Sequence, residues 1–218
     1  MLINETFTSI QGEGFEAGMP AFFIRTGGCN FDCSWCDTKY ADSGTELSVE
    51  EVLKLIPEEC INVVITGGEP FLQKDLFDVV KRIRKKVFIE TNGSIFDARI
   101  IGYATIIVSP KLHMLKEENI PLLKNYKLEE YLSSLRNWAP HATFKFVIGG
   151  RYDFIDAYKM CILLNKRQRI CLMPRGTTDE TLKKGMCNIV DWIKEWEAYH
   201  MWVSPRLHVS LYGSQRGV

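Results

Sequence analysis

The sequence predicts an α/β fold, a partial (open) βα barrel of parallel strands, and three observations lead there. Short apolar runs rich in Val, Ile and Phe recur along the chain, the pattern of parallel strands buried on both faces. Amphipathic helical runs separate them, and alternating strand and helix means βα units with right-handed crossovers. Roughly six or seven such strands are too few to close an eight-stranded barrel.

Each element carries its own signal. An opening strand lies around Asn4–Ile10, and the apolar run Ala21–Thr26 is the second. Ser48-Val-Glu-Glu51 is a capping box, and it opens a helix carrying Val52, Leu55 and Ile56. After the strand Asn62–Thr66, Leu72, Leu76, Val79, Val80 and Ile83 repeat at helical spacing, with Lys and Arg closing the last turn. Val87–Thr91 and Thr105–Ser109 are strands, Leu128–Trp138 a helix, Thr143–Ile148 a strand, Asp153–Leu164 a helix and Ile170–Met173 a strand. Thr177-Thr-Asp-Glu180 reads as a second capping box, before Leu182, Met186, Ile189, Ile193 and Trp196. Leu207–Leu211 reads as a terminal strand. A doubly wound open sheet is the alternative, and both architectures put ligands at the carboxyl ends of the strands. No repeat, low-complexity tract or linker composition divides the chain, so residues 1–218 read as one domain.

Composition narrows the function classes. With 46% hydrophobic residues the chain can bury a sizeable core. The 27 basic residues balance 27 acidic ones, which argues against a nucleic acid or an anionic membrane as partner. MLINETFTSIQGEG lacks the basic and apolar regions of a signal peptide. No apolar run reaches the ~18 residues of a membrane span, so a cytoplasmic location is expected.

Seven cysteines are many for such a location, where disulfides are rare and an odd number cannot pair completely. Cys60, Cys161, Cys171 and Cys187 are scattered and read as small buried hydrophobes. The other three form Gly27-Gly-Cys29-Asn-Phe-Asp-Cys33-Ser-Trp-Cys36-Asp-Thr38, a CxxxCxxC loop after a strand. Three thiolates so close in sequence converge at little loop-closure cost. Soft thiolates select zinc, copper(I) or iron–sulfur. Structural zinc and structural 4Fe–4S sites both want four protein ligands, and no fourth Cys or His lies nearby. Three ligands leave one coordination position open, as catalysis requires. A zinc site completed by a distant His such as His113 is the plainer alternative.

The cysteine motif resembles the signature of the radical S-adenosylmethionine (SAM) superfamily. The resemblance implies a 4Fe–4S cluster on Cys29, Cys33 and Cys36, with SAM on the fourth iron. One electron from the cluster would cleave SAM to a radical that abstracts hydrogen from carbon. Phe31 and Trp35 would shield the cluster. Downstream, Thr66-Gly67-Gly68-Glu69-Pro70 is similar to the superfamily's SAM-binding GGEP turn, where glycines permit close approach and Glu69 supplies an acceptor. Thr91-Asn92-Gly93 and Ser109-Pro-Lys111 end the next two strands and mark a common rim. Thr91, Asn92, Ser109 and Lys111 are therefore SAM-side candidates with Gly67, Gly68 and Glu69.

Ser9-Ile-Gln-Gly-Glu-Gly14, the run FIRTGGCN and the CDT at Cys36–Thr38 resemble the 7-carboxy-7-deazaguanine synthase family of queuosine biosynthesis. The resemblance is dense over residues 9–38, returns at Thr66–Gln73, Thr91–Gly93 and Ser109–Lys111, then thins. It implies ring contraction of 6-carboxy-5,6,7,8-tetrahydropterin with loss of ammonia, a carbon–nitrogen lyase reaction aided by Mg²⁺. It implies substrate contacts at Ile10, Gln11, Gly12, Glu13 and Thr66, and an Arg25 fork on the substrate carboxylate. Trp35 and Asp37 would flank SAM, and Thr38 would ligate magnesium through its hydroxyl. Two segments depart from the family pattern. Met173-Pro-Arg-Gly176 stands where relatives often have Gln-Pro, with Met173 on the adenine side of SAM. In Arg206-Leu-His208-Val-Ser-Leu-Tyr-Gly213, His208 would approach the substrate, but five further residues follow. His141 and His200 match no motif, and Lys145, inside an apolar strand, is a pocket candidate. A flavodoxin or ferredoxin electron donor and a homodimer are implied. A glycyl-radical activase and a non-catalytic thiolate or redox-sensing module are the rival functions.

Overall fold

The computed structural model describes residues 1–33, 36, 43–111, 127–165, 167, 169–213, 215 and 217. Its strands are β1 (Leu2–Ile10), β2 (Pro20–Thr26), β3 (Thr45–Glu46), β4 (Asn62–Gly67), β5 (Lys86–Thr91), β6 (Thr105–Val108), β7 (Ala142–Ile148), β8 (Ile170–Pro174) and β9 (Met201–Val203). Its α-helices are α1 (Val49–Leu55), α2 (Leu76–Val80), α3 (Leu128–Trp138), α4 (Arg151–Leu163), α5 (Asp179–Glu195) and α6 (Leu207–Tyr212). The strands form one open sheet ordered β3-β1-β2-β4-β5-β6-β7-β8-β9. From β2 to β9 every neighbour is parallel, and β1 and β3 add an antiparallel edge. The partial barrel is thus the architecture, extended by two strands, β3 and β9, too short to show a period in sequence.

The sheet has an apolar layer on each face, as strands buried on both sides must. On the helix side Ile24, Ile65, Ile89 and Val108 join Val79, Leu135, Phe154 and Ile189 in one core. On the inner side Ala21, Phe23, Val64, Phe88 and Ile107 form a second cluster with Phe7 and Met19. Phe7 stacks on Phe23 with ring centroids 5.0 Å apart.

Four local expectations are corrected. The run Leu207–Leu211 is not a strand but lies in helix α6. β9 already holds the place beside β8, Pro205 interrupts the chain after it, and within α6 only Val209 is buried. The second capping box is shifted by one residue, because Thr178 rather than Thr177 caps α5 and exchanges bonds with Thr181. That start turns Leu182, Ile189 and Ile193 inward. The helical pattern Leu72–Ile83 breaks into a 3₁₀ turn at Pro70–Leu72 and the short α2. Gln73 leaves the pattern to bridge the Leu2 N–H (2.8 Å) and the Gly27 carbonyl (2.8 Å), tying β1 to the cysteine loop. Of the scattered cysteines, Cys161 and Cys171 are buried as expected, but Cys60 is only half-buried and Cys187 is exposed. The capping box at Ser48 is present, with Glu51 as its partner.

Candidate active site

Side chains alternate across a strand, so one inner-face row is read at every second residue. Its apolar members give way to polar ones toward the carboxyl ends: Phe23 to Arg25 on β2, Val64 to Thr66 on β4, Phe88 to Glu90 on β5. Arg25 lies level with Thr66 in the parallel ladder. Its Nε donates to Glu5 Oε1 at 2.7 Å, and its guanidinium lies over the Phe7 ring at 5.5 Å. The Thr66 hydroxyl donates to Glu90 Oε2 at 3.0 Å. Gln11, buried, donates to Glu90 Oε1 at 3.2 Å and accepts the Glu13 N–H at 3.1 Å. Ile10 ends β1 just before it.

Glu13 is held from two sides, by Lys145 Nζ at 2.6 Å and by Arg206 Nε at 2.9 Å. Burial opposes its charge, but Lys145, Arg206 and His208 together hold its carboxyl well below the usual carboxylate range. Burial likewise opposes the Lys145 charge, and Glu13 and Glu90 overcome it, raising its pKa. The C-terminal segment clasps this loop: the Leu207 N–H donates to Gly12 O (2.8 Å) and the Gly14 N–H to Ser204 Oγ (2.7 Å). A Cβ at Gly12 would fall 1.9 Å from His208 Nδ1, so the imidazole lies directly on that glycine.

Above this wall sits the cysteine loop. Gly68 donates to Thr26 O at 3.0 Å and Glu69 to Gly28 O at 2.8 Å, welding the Gly67–Pro70 turn to it. Gly67 has φ +117°, and a Cβ at Gly68 would fall 1.8 Å from the Gly28 carbonyl oxygen. Glu69 is buried and accepts from Thr91 Oγ1 (2.7 Å), Asn92 N (2.7 Å) and Phe71 N (3.1 Å). Burial raises its pKa against those donors. Asn30 bridges to Ser94 (2.8 Å) and Asn92 (3.0 Å). The Tyr131 hydroxyl donates to Asn92 O and accepts the Lys111 N–H, each at 2.9 Å, while Lys111 Nζ donates to Ser109 Oγ at 3.2 Å. Four strand-end loops are therefore one bonded rim. Met173 is buried on β8 level with Val147 on β7, two residues beyond Cys171, which is level with Lys145.

The cysteines suit a cluster. All three are thiols rather than disulfides, and Cys33 is buried. Burial pushes Cys33 up to about 11 and raises Cys29, and the neighbouring thiols add to both. Thiols in such a place stay neutral until a metal supplies positive charge. Phe31, buried, stands edge-on to Tyr131 beside them. Among the described residues no three His, Cys, Asp or Glu side chains converge on a single-ion position. A cube of four irons takes each thiolate on a separate iron.

Of the residues the sequence singled out, the structure brings Gln11, Gly12, Glu13, Arg25, Thr66 and His208 to the wall, and Gly67, Gly68, Glu69, Thr91, Asn92, Ser109 and Lys111 to the rim. Trp35, Asp37, Thr38 and His113 lie outside the described residues. Glu90, Arg206, Asn30 and Tyr131 were not anticipated. Glu90 had a signal, an acid inside the apolar run Val87–Thr91 at the inner-face position.

Comparison with known proteins gives a consistent result. The chain matches the Radical SAM superfamily over residues 23–186. A 7-carboxy-7-deazaguanine synthase of Thermoplasma acidophilum is 32% identical, with all of both chains covered. One of Rhodopirellula baltica is 42% identical over all of this chain and 88% of that protein. The crystal structure of QueE from Escherichia coli superposes with a TM-score of 0.69 at 27% identity, covering 93% of this chain and 92% of that one.

Proposed function

Because the chain belongs to the 7-carboxy-7-deazaguanine synthase family of the radical SAM superfamily, we propose that it contracts the ring of 6-carboxy-5,6,7,8-tetrahydropterin to 7-carboxy-7-deazaguanine with loss of ammonia. The observation that carries this reading is one of adjacency. β2 and β4 lie side by side with Arg25 level with Thr66, and each strand runs directly into a cofactor loop: Cys29 to Cys36 after β2, Gly68 and Glu69 after β4.

Cys29, Cys33 and Cys36 hold the 4Fe–4S cluster, and Gly67, Gly68, Thr91, Asn92, Ser109, Lys111 and Met173 line the SAM side. When bound, cluster and SAM supply a one-electron cleavage that yields a hydrogen-abstracting radical. The chain itself orients and excludes water. Arg25, fixed by Glu5 and Phe7, pairs with the substrate carboxylate as a planar fork. Gln11 and Thr66, both resting on Glu90, meet the ring's polar edge. The apolar floor of Phe23, Val64 and Phe88 receives its face. His208 closes the site from the C-terminal segment, and Glu69 keeps the rim in shape by accepting from three backbone and hydroxyl donors. From the family resemblance alone, Thr38 would ligate Mg²⁺ and Trp35 and Asp37 would contact SAM.

No helix among the described residues is long and apolar enough to cross a membrane. The reading includes a cytoplasmic location, one domain, a homodimer and a flavodoxin or ferredoxin donor. Anaerobic incubation with SAM, reductant, Mg²⁺ and the carboxypterin, followed by mass spectrometry, tests it. The expected product is 7-carboxy-7-deazaguanine with one ammonia per turnover. 5′-Deoxyadenosine formed without pterin conversion would instead favour a radical activase of another substrate.

A further inference from the structure

We propose that Lys145 is a positioning residue for the substrate: from the middle of β7 it fixes Glu13 and Glu90 as a pair of anions, and through them sets where Gln11 and Thr66 meet the pterin. The inference rests on the function proposed above and deepens it.

A lysine is almost never buried without partners. Lys145 is 5% exposed, and its ammonium donates to Glu13 at 2.6 Å and Glu90 at 3.0 Å, carboxylates delivered by two different elements. With Arg206 on Glu13 the buried charges balance, two cations against two anions. The bonds on Glu90 differ in kind. One comes from Lys145, and the others come from the neutral Gln11 amide and Thr66 hydroxyl. All three are assisted by the carboxylate charge, but only the Lys145 bond joins two opposite full charges, which makes it the hardest to give up. When a polar ring enters, Gln11 and Thr66 are therefore the donors that change partner, and Lys145 is the one that stays. Neither carboxylate can turn without breaking a charged bond, so the ring meets groups already in place, which spares ordering cost at binding. The titratable neighbours are Glu13 and Glu16 from the segment after β1, Glu90 from β5, Cys171 from β8, and Arg206 and His208 from the C-terminal segment.

The test uses full-length, iron-loaded K145M and K145R. Iron content, SAM affinity, and kcat and KM for the carboxypterin are measured across the neutral pH range. K145M is expected to keep its iron and its SAM affinity while KM rises at least about tenfold, more than kcat falls. The acid limb of its kcat/KM moves to higher pH, because two buried carboxylates then share one cation. K145R restores most of the loss. Wild-type KM and pH profile in K145M would overturn the proposal, as would loss of iron together with substrate binding, which marks a mere fold strut. If K145M fails to fold, K145M/E90Q removes a cation and an anion together and leaves Glu13 with Arg206. That variant is expected to fold with raised KM, and normal KM or a second failure to fold defeats the proposal. Failure of the wild type to convert the pterin counts against the function, whereas an active wild type with an unchanged K145M counts against this inference alone.

Discussion

Gly68 shows how much one missing methyl can decide. A Cβ there would fall 1.8 Å from the Gly28 oxygen and 2.6 Å from its carbon, both backbone atoms that move only with the cysteine loop. At Gly12 the obstacle is the His208 ring, a side chain that can rotate. Gly68→Ala is therefore expected to lose about 1–3 kcal/mol of stability by urea titration and to retain less than half the wild-type iron after reconstitution. Gly150, whose added Cβ would meet nothing, serves as control, and full iron in G68A would contradict the weld. The glycines and Glu69 could be read from sequence as a turn, because Gly-Gly-Glu-Pro follows an apolar strand. That Glu69 ties Thr91 and Asn92 could not, since local sequence carries no record of partners 22 and 23 positions away. Arg206, 193 positions from Glu13, is a stronger case of the same limit.

Among the elements, α3 does the most for the site from behind its rim. Its Tyr131 hydroxyl joins the loops after β5 and β6 through Asn92 and Lys111. Burial raises the pKa of this phenol, so it remains a neutral donor and acceptor. Tyr131→Phe removes one bond to a buried carbonyl and one from a part-buried N–H, an expected cost of about 1–3 kcal/mol. Denaturation would measure that loss, and SAM affinity should weaken while pterin affinity changes less. Equal weakening of both ligands would contradict this division of labour. Helix α3 was legible over Leu128–Trp138 because its apolar residues recur at helical spacing and exceed a strand's usual length. Leu207–Leu211 was not, because a run that short fits either period and the deciding fact is tertiary: β9 already fills that edge.

Over the whole molecule, the open barrel pairs an apolar floor with a charged wall, and the wall makes stability depend on pH. Glu13 is depressed, so its contribution is present above the ordinary carboxylate range and is lost as pH falls through the folded value. Lys145 is raised, so its contribution is present below the ordinary lysine value and is lost only as pH rises beyond it. Urea midpoints of wild type and E13Q should thus differ most at neutral pH and draw together below about pH 4.5. A constant difference would mean that folding leaves the ionisation of Glu13 unperturbed, and a difference of opposite trend that the fold holds it neutral. The alternation of apolar runs made the sheet legible, but the number of strands and the clasp by the C-terminal segment depend on contacts that sequence spacing does not encode.

The proposed chemistry requires three thiolates that leave one iron for SAM. The most direct measurement is iron content and electron paramagnetic resonance of the anaerobically reconstituted, reduced chain, with and without SAM. About four irons per chain and a cluster signal that shifts on adding SAM are predicted, lost together in Cys29→Ala, Cys33→Ala or Cys36→Ala. Bound zinc, or a full cluster whose signal ignores SAM, would contradict it.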